Sequence, residues 1–188
     1  MQTNTREDNK KFLTILSDGK FHQQVPEGTE GAVTRTYEDK DGVEKTKIEL
    51  VFDEVIGVIT KISFEDGDYG KNLLLELDED GVISIGTSSN FGEDLMKKLP
   101  AINLSQPVKL IPYSFEDEKG KSKKGVTVYQ GENKIDSYYW DKMEKKSING
   151  MPEPEGDTSK FDSDDWKMHF MVVRKFLIKE VENLTFGL

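Results

Sequence analysis

The chain has 188 residues, with 36 acidic and 26 basic side chains and no cysteine. This length predicts one core domain with decoration, while the lack of cysteine excludes disulfides and thiolate metal sites and fits a reducing compartment. No apolar run approaches the roughly 20 residues of a membrane helix, and residues 1–11 lack the apolar core of a signal peptide, so we expect a soluble, cytoplasmic protein.

The net charge of −10 at first argues against a nucleic-acid partner, because phosphate binding usually leaves a basic footprint. The charges are unevenly distributed, however. Residues 151–165 contain six acids and one lysine, whereas residues 119–124 contain four lysines and no acid. A basic loop beside an acidic stretch suits a DNA-binding protein, and it equally suits an acidic protein with one solvated loop.

The N-terminal segment, residues 1–31, shows little regular pattern. Its first eleven residues are polar, and the short apolar run from Phe12 to Leu16 predicts a turn or short helix that caps one end of the main domain. Residues 21–31 are punctuated by glycine and proline, which is typical of a loop. Residues 32–52 contain two β-rich runs around an Asp-Gly turn and therefore predict a hairpin.

Residues 55–129 predict a single closed unit. Three strands, a short helix and two further strands follow one another, which is the order of the OB-fold. The OB-fold is a five-stranded Greek-key barrel whose strand 2–3 face and flanking loops commonly bind single-stranded nucleic acid. We therefore expect a mainly β OB-fold domain over residues 32–140, with the hairpin at its start and the barrel core at 55–129.

Details within this unit agree with a small barrel. Gly57 would let the first strand coil sharply enough to serve two sheets. Asn90 is expected to cap the short helix, with Glu93 three residues on, and the helix would plug the end of the barrel. Pro112 lacks an N–H, so its strand should lie at an edge or carry a bulge there.

Three further segments follow the barrel. Residues 136–140 predict a sixth short strand, residues 141–162 an acidic linker, and residues 163–188 a C-terminal helix. Apolar side chains recur at helical spacing in this last segment: Trp166, Phe170, Val173, Leu177 and Val181. This broad stripe allows the helix either to cover an open side of the barrel or to pair with a second copy in a homodimer.

No pattern of catalytic residues emerges. The two histidines, His22 and His169, are more than a hundred residues apart, and neither a nucleophile elbow nor a phosphate-binding glycine loop is present. The DGDYG and DKDG stretches contain oxygen ligands but suit tight turns better than a calcium loop. We expect a protein that is not an enzyme and holds no cofactor or metal.

Single-stranded nucleic-acid binding requires aromatic faces for base stacking and cations along the phosphates. Such residues cluster where an OB-fold would present them, in the loops between strands 1 and 2 and between strands 4 and 5, and on the strands beside them. The candidates are Lys61, Tyr69, Lys71, Lys109, Tyr113, Phe115, Lys119, Lys121, Lys123, Lys124, Tyr129, Tyr139 and Trp140.

Each candidate also has a purely structural interpretation. Phe115 suits the core, since aromatic side chains dominate buried area, and Tyr113 and Tyr129 suit either role. The lysine-rich loop could simply be solvated. Among Tyr138, Tyr139 and Trp140, at least one should face inward if the segment is a strand.

Four segments resemble a family of small tailed-bacteriophage proteins that are commonly described as single-stranded DNA-binding proteins. The resemblance covers essentially the whole chain. The segments are FLTILSDGKFHQQVPEGTEGAVTR, DGDYGKNLLLEL, SSNFGEDLMKKLPAINLSQPVKLIPYSFEDEKGKSKKGVTVYQ and SDDWKMHFMVVRKFL.

The resemblance implies a non-catalytic protein that coats single-stranded DNA in the host cytoplasm during phage DNA replication or recombination, with low sequence specificity and with replication or recombination proteins as further partners. It identifies no individual binding residues. Better-known single-strand binders end in an acidic tail, whereas the acidic stretch here is internal. The alternative is an OB-fold module that binds a replication enzyme or host factor, which fits the net charge better.

Overall fold

The computed structural model describes residues 10–184, so predictions for residues 1–9 and 185–188 lie outside it. The protein is mainly β with a C-terminal helix. Seven strands form the larger sheet, in the spatial order β3-β4-β2-β1-β8-β7-β6. They are β1 (Lys11–Ile15), β2 (Phe21–Gln24), β3 (Val33–Glu38), β4 (Glu44–Phe52), β6 (Ile59–Gly67), β7 (Gly70–Leu77) and β8 (Gly81–Gly86).

The smaller sheet has four strands, in the order β11-β10-β9-β5. They are β5 (Val55–Gly57), β9 (Val108–Glu116), β10 (Ser122–Gln130) and β11 (Asn133–Ile135). Outside these sheets lie helix α1 (Asn90–Met96), the short β12–β13 ribbon (Trp140–Asp141 with Lys146–Ser147), helix α2 (Ser163–Leu184) and short 3-10 helices at Asp78–Asp80, Leu99–Ala101 and Thr158–Lys160. The two sheets do not close into a barrel, so the predicted five-stranded barrel is not confirmed.

The predicted first barrel strand is divided between the two sheets at Val58. A Cβ at Gly57 would lie 2.7 Å from Asp78 Oδ1, and that same oxygen accepts a hydrogen bond from the Val58 N–H at 2.8 Å. Glycine is therefore required for the side chain of Asp78 to approach the backbone. The prediction that this strand serves two sheets is confirmed, since residues 55–57 pair with β9 and residues 59–67 pair with β7.

Two N-terminal predictions are wrong. The Phe12–Leu16 run does not form a cap, because Lys11–Ile15 is a strand that pairs in parallel with β8 and antiparallel with β2. Phe21–Gln24 likewise lies in the sheet, between β1 and β4, although it was predicted to be part of a loop. The predicted hairpin over residues 32–52 is confirmed as β3 and β4.

One apolar cluster unites both sheets and both helices. Alternate residues of β9 and β10 face it, and α1 contributes Leu95 and Met96, which are fully buried as expected. The cap of α1 is Ser89, not Asn90, because the Ser89 hydroxyl accepts from the Gly92 N–H at 3.0 Å. Helix α2 packs Val173, Leu177 and Val181 into the same core.

The segment after β10 differs from its prediction. Residues 136–140 do not form a sixth strand, since β11 takes that place earlier in the chain and Trp140 belongs to the two-residue β12. The predicted linker is partly folded, because it contains β13 and because Met151 packs against the core. Within residues 10–184, no helix is both long and apolar enough to cross a membrane.

Candidate nucleic-acid interface

The outer face of the four-stranded sheet carries a combination of aromatic and basic side chains. Residues opposite one another in antiparallel strands project to the same face. Phe115 lies opposite Lys123, Tyr113 opposite Gly125, and Lys109 opposite Tyr129. The neighbouring positions Val108, Leu110, Val126 and Val128 face the core. Strand register therefore brings five of the predicted site residues onto one face: Lys109, Tyr113, Phe115, Lys123 and Tyr129.

An open cavity of about 610 Å³ lies on this face. Tyr113 and Phe115 form its aromatic part, with ring centroids 5.8 Å apart and planes inclined by 38°. Phe115 is 55% exposed, which is unusual for a phenylalanine in a sheet. Its exposed ring offers a stacking surface. The complete lining is Lys98, Tyr113, Phe115, Asp117, Thr127, Lys123 and Lys134.

The lysine-rich loop is held in shape by Asp117. Its Oδ1 accepts hydrogen bonds from the N–H groups of Lys119 (3.0 Å) and Lys121 (2.9 Å), which lower the pKa of this carboxyl. Gly120 takes a left-handed conformation (φ 71°) that glycine adopts without strain. The loop therefore presents its lysines from an ordered turn at the end of the candidate face.

The lysines on and beside the face are weakly neutralised. Lys123 approaches Asp117 at 3.8 Å and Lys109 approaches Glu54 at 3.8 Å, and both pairs are long and lie at the surface, so they contribute little. Lys134 forms no ion pair with any residue between 10 and 184. Phosphate groups could replace the carboxylates in these long ion pairs at a small cost in free energy.

Helix α1 and Lys98, which follows it, support the edge of β10 beside the cavity. Lys98 Nζ donates to the Val126 carbonyl at 2.6 Å, and Asp94 Oδ2 accepts from the Val126 N–H at 2.7 Å. Lys98 and Asp94 are themselves paired at 2.7 Å. Strand β11 pairs with β10 only from Val128 onward, so this ion pair satisfies the main-chain groups that a longer neighbour would have bonded.

Burial and the Asp94 charge both act on Tyr113. Burial, the larger cause, and the nearby carboxylate raise the pKa of the Tyr113 hydroxyl, so the phenol stays neutral at physiological pH. A neutral phenol ring can stack on a base. Because it carries no negative charge, it does not compete with phosphate for the neighbouring lysines.

The other predicted site residues lie elsewhere. Lys124 projects to the opposite face of β10 from Lys123. Tyr69 is 88% exposed at the tip of the β6–β7 hairpin in the larger sheet. Lys61 and Lys71, on the same hairpin, pair with Glu76 (3.2 Å) and Asp66 (3.0 Å).

Tyr139 is not an exposed stacking residue, contrary to the prediction. It is 2% exposed, and its ring packs edge-on against Tyr138 and Phe176. This fits the expectation that one member of the trio faces inward. Trp140 remains half exposed in the β12–β13 ribbon, outside the four-stranded sheet.

Two lysines of the cavity were not predicted. Lys98 was treated as part of a helix that only plugs the core, and its reach to Val126 depends on how that helix docks. Lys134 lies in β11, a strand of three residues that is too short to show a pattern. The Lys134-Ile135 pair directly after Gly-Glu-Asn was the available signal for Lys134.

Comparison of the chain with family models, with curated proteins and with solved structures finds no match. The resemblance to a bacteriophage family therefore stays a prediction, and the functional argument rests on the geometry of this face.

Proposed function

We propose that the protein binds single-stranded DNA without catalysis, through the outer face of the four-stranded sheet. The observation that carries this proposal is the ring pair of half-buried Tyr113 and exposed Phe115 at an open cavity bordered by lysines. Bases would stack on the two rings while Lys109, Lys123, Lys134 and the 119–121 turn neutralise phosphates. Such recognition has little sequence preference and depends strongly on salt.

The wider proposal is an OB-related single-strand binder of phage DNA replication or recombination, acting in the host cytoplasm. It is supported by the order of three strands, a helix and two strands over β6 to β10 and by the family resemblance of the sequence. Replication or recombination proteins would be its further partners.

The stacking role is tested with Phe115→Ala in a fluorescence anisotropy titration on labelled oligo-dT. Loss of one stacked base removes about 1–3 kcal/mol, or roughly a 5- to 150-fold loss of affinity. Met143→Ala is the control, since Met143 is 93% exposed and lies outside the sheet. Equal affinity of Phe115→Ala and wild type would show that this ring takes no part.

The phosphate role is tested with Lys123→Gln combined with Lys134→Gln. We expect weaker binding and a log–log salt slope reduced by about 1.4, since each phosphate contact to a single strand contributes about 0.7. The control pair, Lys40→Gln with Lys160→Gln, changes the net charge equally and touches neither the sheet nor its cavity. An identical loss of affinity in both double variants would show that only the net charge of the protein matters.

A second candidate function is a module that binds another protein. The net charge of −10 and the exposed apolar side chains of α2 favour it. It predicts no affinity for single-stranded DNA even at low salt, so the same titrations separate the two functions.

A further inference from the structure

Helix α2 has two apolar faces, and the core covers only one of them. Val173, Leu177 and Val181 are buried against the core. On the opposite side, Met168 is 68%, Met171 52% and Val172 53% exposed. A helix of a monomeric domain normally has a polar outer face, so this second apolar face indicates a contact surface.

Charged residues flank these side chains in a definite order. At 100° per residue, one stripe along the helix follows the side opposite Val173 and Leu177. We call it the outer stripe: Asp164, Met168, Met171, Val172, Lys175, Lys179 and Glu182. It is acidic at its N-terminal end, apolar in the middle and basic at Lys175 and Lys179, with the acidic Glu182 beyond them.

We propose that a second copy of the chain covers the outer stripe, with the two α2 helices antiparallel about a two-fold axis between Met171 and Val172. This register places Met171 against Val172 of the second copy. It also places Asp164 against Lys179 of the second copy, and the stem of Lys175 along Met168. The contact is about 22 Å long from Asp164 to Lys179.

A second copy fits better than an unrelated protein because the stripe is complementary to itself. A two-fold contact repeats every pairing, so one Asp164–Lys179 match produces two ion pairs. Neither Lys175 nor Lys179 forms an ion pair among residues 10–184. Asp164 pairs with Lys167 at 2.9 Å, but both side chains are more than 70% exposed, so this pair exchanges at little cost.

The dimer would leave the candidate DNA face of each copy open. Helix α2 contacts α1 and β6 and makes no comparable contact with β9, β10 or β11 among the described residues. The inference is therefore independent of DNA binding and goes beyond the proposed function. A single-helix contact is smaller than a standard interface of about 1,600 Å², so we expect a reversible dimer whose population rises with concentration.

Sedimentation equilibrium of the whole chain over a wide concentration range tests the proposal. We expect a monomer–dimer equilibrium that Met171→Lys abolishes, because the substitution brings two cations together at the two-fold axis. Met143→Lys, at an exposed position outside the helix, should leave the equilibrium unchanged. A monomer at every concentration, or a dimer that survives Met171→Lys, would overturn the proposal. Circular dichroism would verify that each variant is folded.

Charge exchange tests the antiparallel register. Asp164→Lys and Lys179→Asp, each alone, should raise the dissociation constant about tenfold, because two attractive pairs become repulsive. An equimolar mixture of the two variants should regain wild-type association, since every pair is then opposite in charge. The double variant in one chain should regain it as well. Failure of both rescues would overturn the proposal.

Discussion

The ring of Tyr113 lies across Gly125 on the neighbouring strand. A Cβ at residue 125 would be 2.4 Å from the Tyr113 oxygen and 2.5 Å from Asp94 Oδ2, closer than side chains approach. Glycine at this position therefore decides where the tyrosine ring rests, and the ring in turn forms one side of the candidate cavity.

Gly125→Ala should displace the Tyr113 ring and lower the free energy of unfolding by about 1–3 kcal/mol, as other overpacked sites do. Affinity for single-stranded DNA should fall with it. Urea unfolding measures the stability, and combining the change with Tyr113→Ala should recover part of the loss, because the larger obstacle is gone. If the single variant is as stable as wild type, the close approach is not a constraint.

Lys98→Met should lower the free energy of unfolding by about 2–4 kcal/mol. It leaves the Val126 carbonyl without its donor and Asp94 without its cation. Lys97→Met is a matched control, because Lys97 makes the same i, i+4 ion pair, with Glu93, but bonds no strand. Chemical denaturation should show a loss below about 1 kcal/mol for the control. Equal losses would mean that the bond to Val126 contributes nothing.

Lowering the pH should destabilise the larger sheet, because the Glu49 carboxylate becomes protonated. Its bidentate bond to Arg35 is the main cause that lowers the Glu49 pKa from 4.5 to about 2, with a further bond to His22. The carboxylate's contribution, at most about 3 kcal/mol, is present above pH 4.5 and is lost as pH falls toward 2.

The Glu49→Gln variant lacks this ionisable group but keeps all other acidic residues. The difference in stability between wild type and this variant therefore isolates the titration of Glu49. We expect the stability difference between wild type and Glu49→Gln to shrink between pH 5 and pH 2.5, measured by urea midpoints. A difference that stays constant over this range would contradict the assigned pKa.

Tyr139→Phe should leave the protein as stable as wild type or up to about 1 kcal/mol more stable. The Tyr139 hydroxyl is buried and has no hydrogen-bond partner among residues 10–184, so removing it relieves a desolvation cost. Its ring contact with Phe176 is retained. Burial, with the charge of Glu180, also raises the Tyr139 pKa to about 12. A loss above 1 kcal/mol in thermal unfolding would reveal a partner for this hydroxyl.

The sequence predicted those strands and turns that depend on residues close together in the chain. The Asp-Gly turn predicted the β3–β4 hairpin, and Gly57 predicted a strand that serves two sheets, although the division of that strand into β5 and β6 was not predicted. Strand β1 was missed because five residues are too few to show a period, and its parallel partner β8 lies about 70 residues away. Whether the sheets close depends on such long-range pairing, which no single segment encodes.

Strand alternation predicted correctly that Tyr113 and Phe115 share a face. Lys123 was predicted in the loop after this strand, but it lies in β10, opposite Phe115. Tyr139 was misplaced because its burial depends on the docking of α2, and Lys98 was missed because its role depends on the docking of α1. The burial and bonding of these side chains depend on contacts between distant elements, which the sequence alone does not show.

The intact protein should bind single-stranded DNA. The direct measurement is an anisotropy titration of labelled oligo-dT of about thirty nucleotides at low and moderate salt, with a duplex and an RNA of equal length alongside. We expect saturable binding to the single strand that weakens steeply with salt, and much weaker binding to the duplex. No binding to the single strand at low salt, or equal affinity for the duplex, would contradict the account.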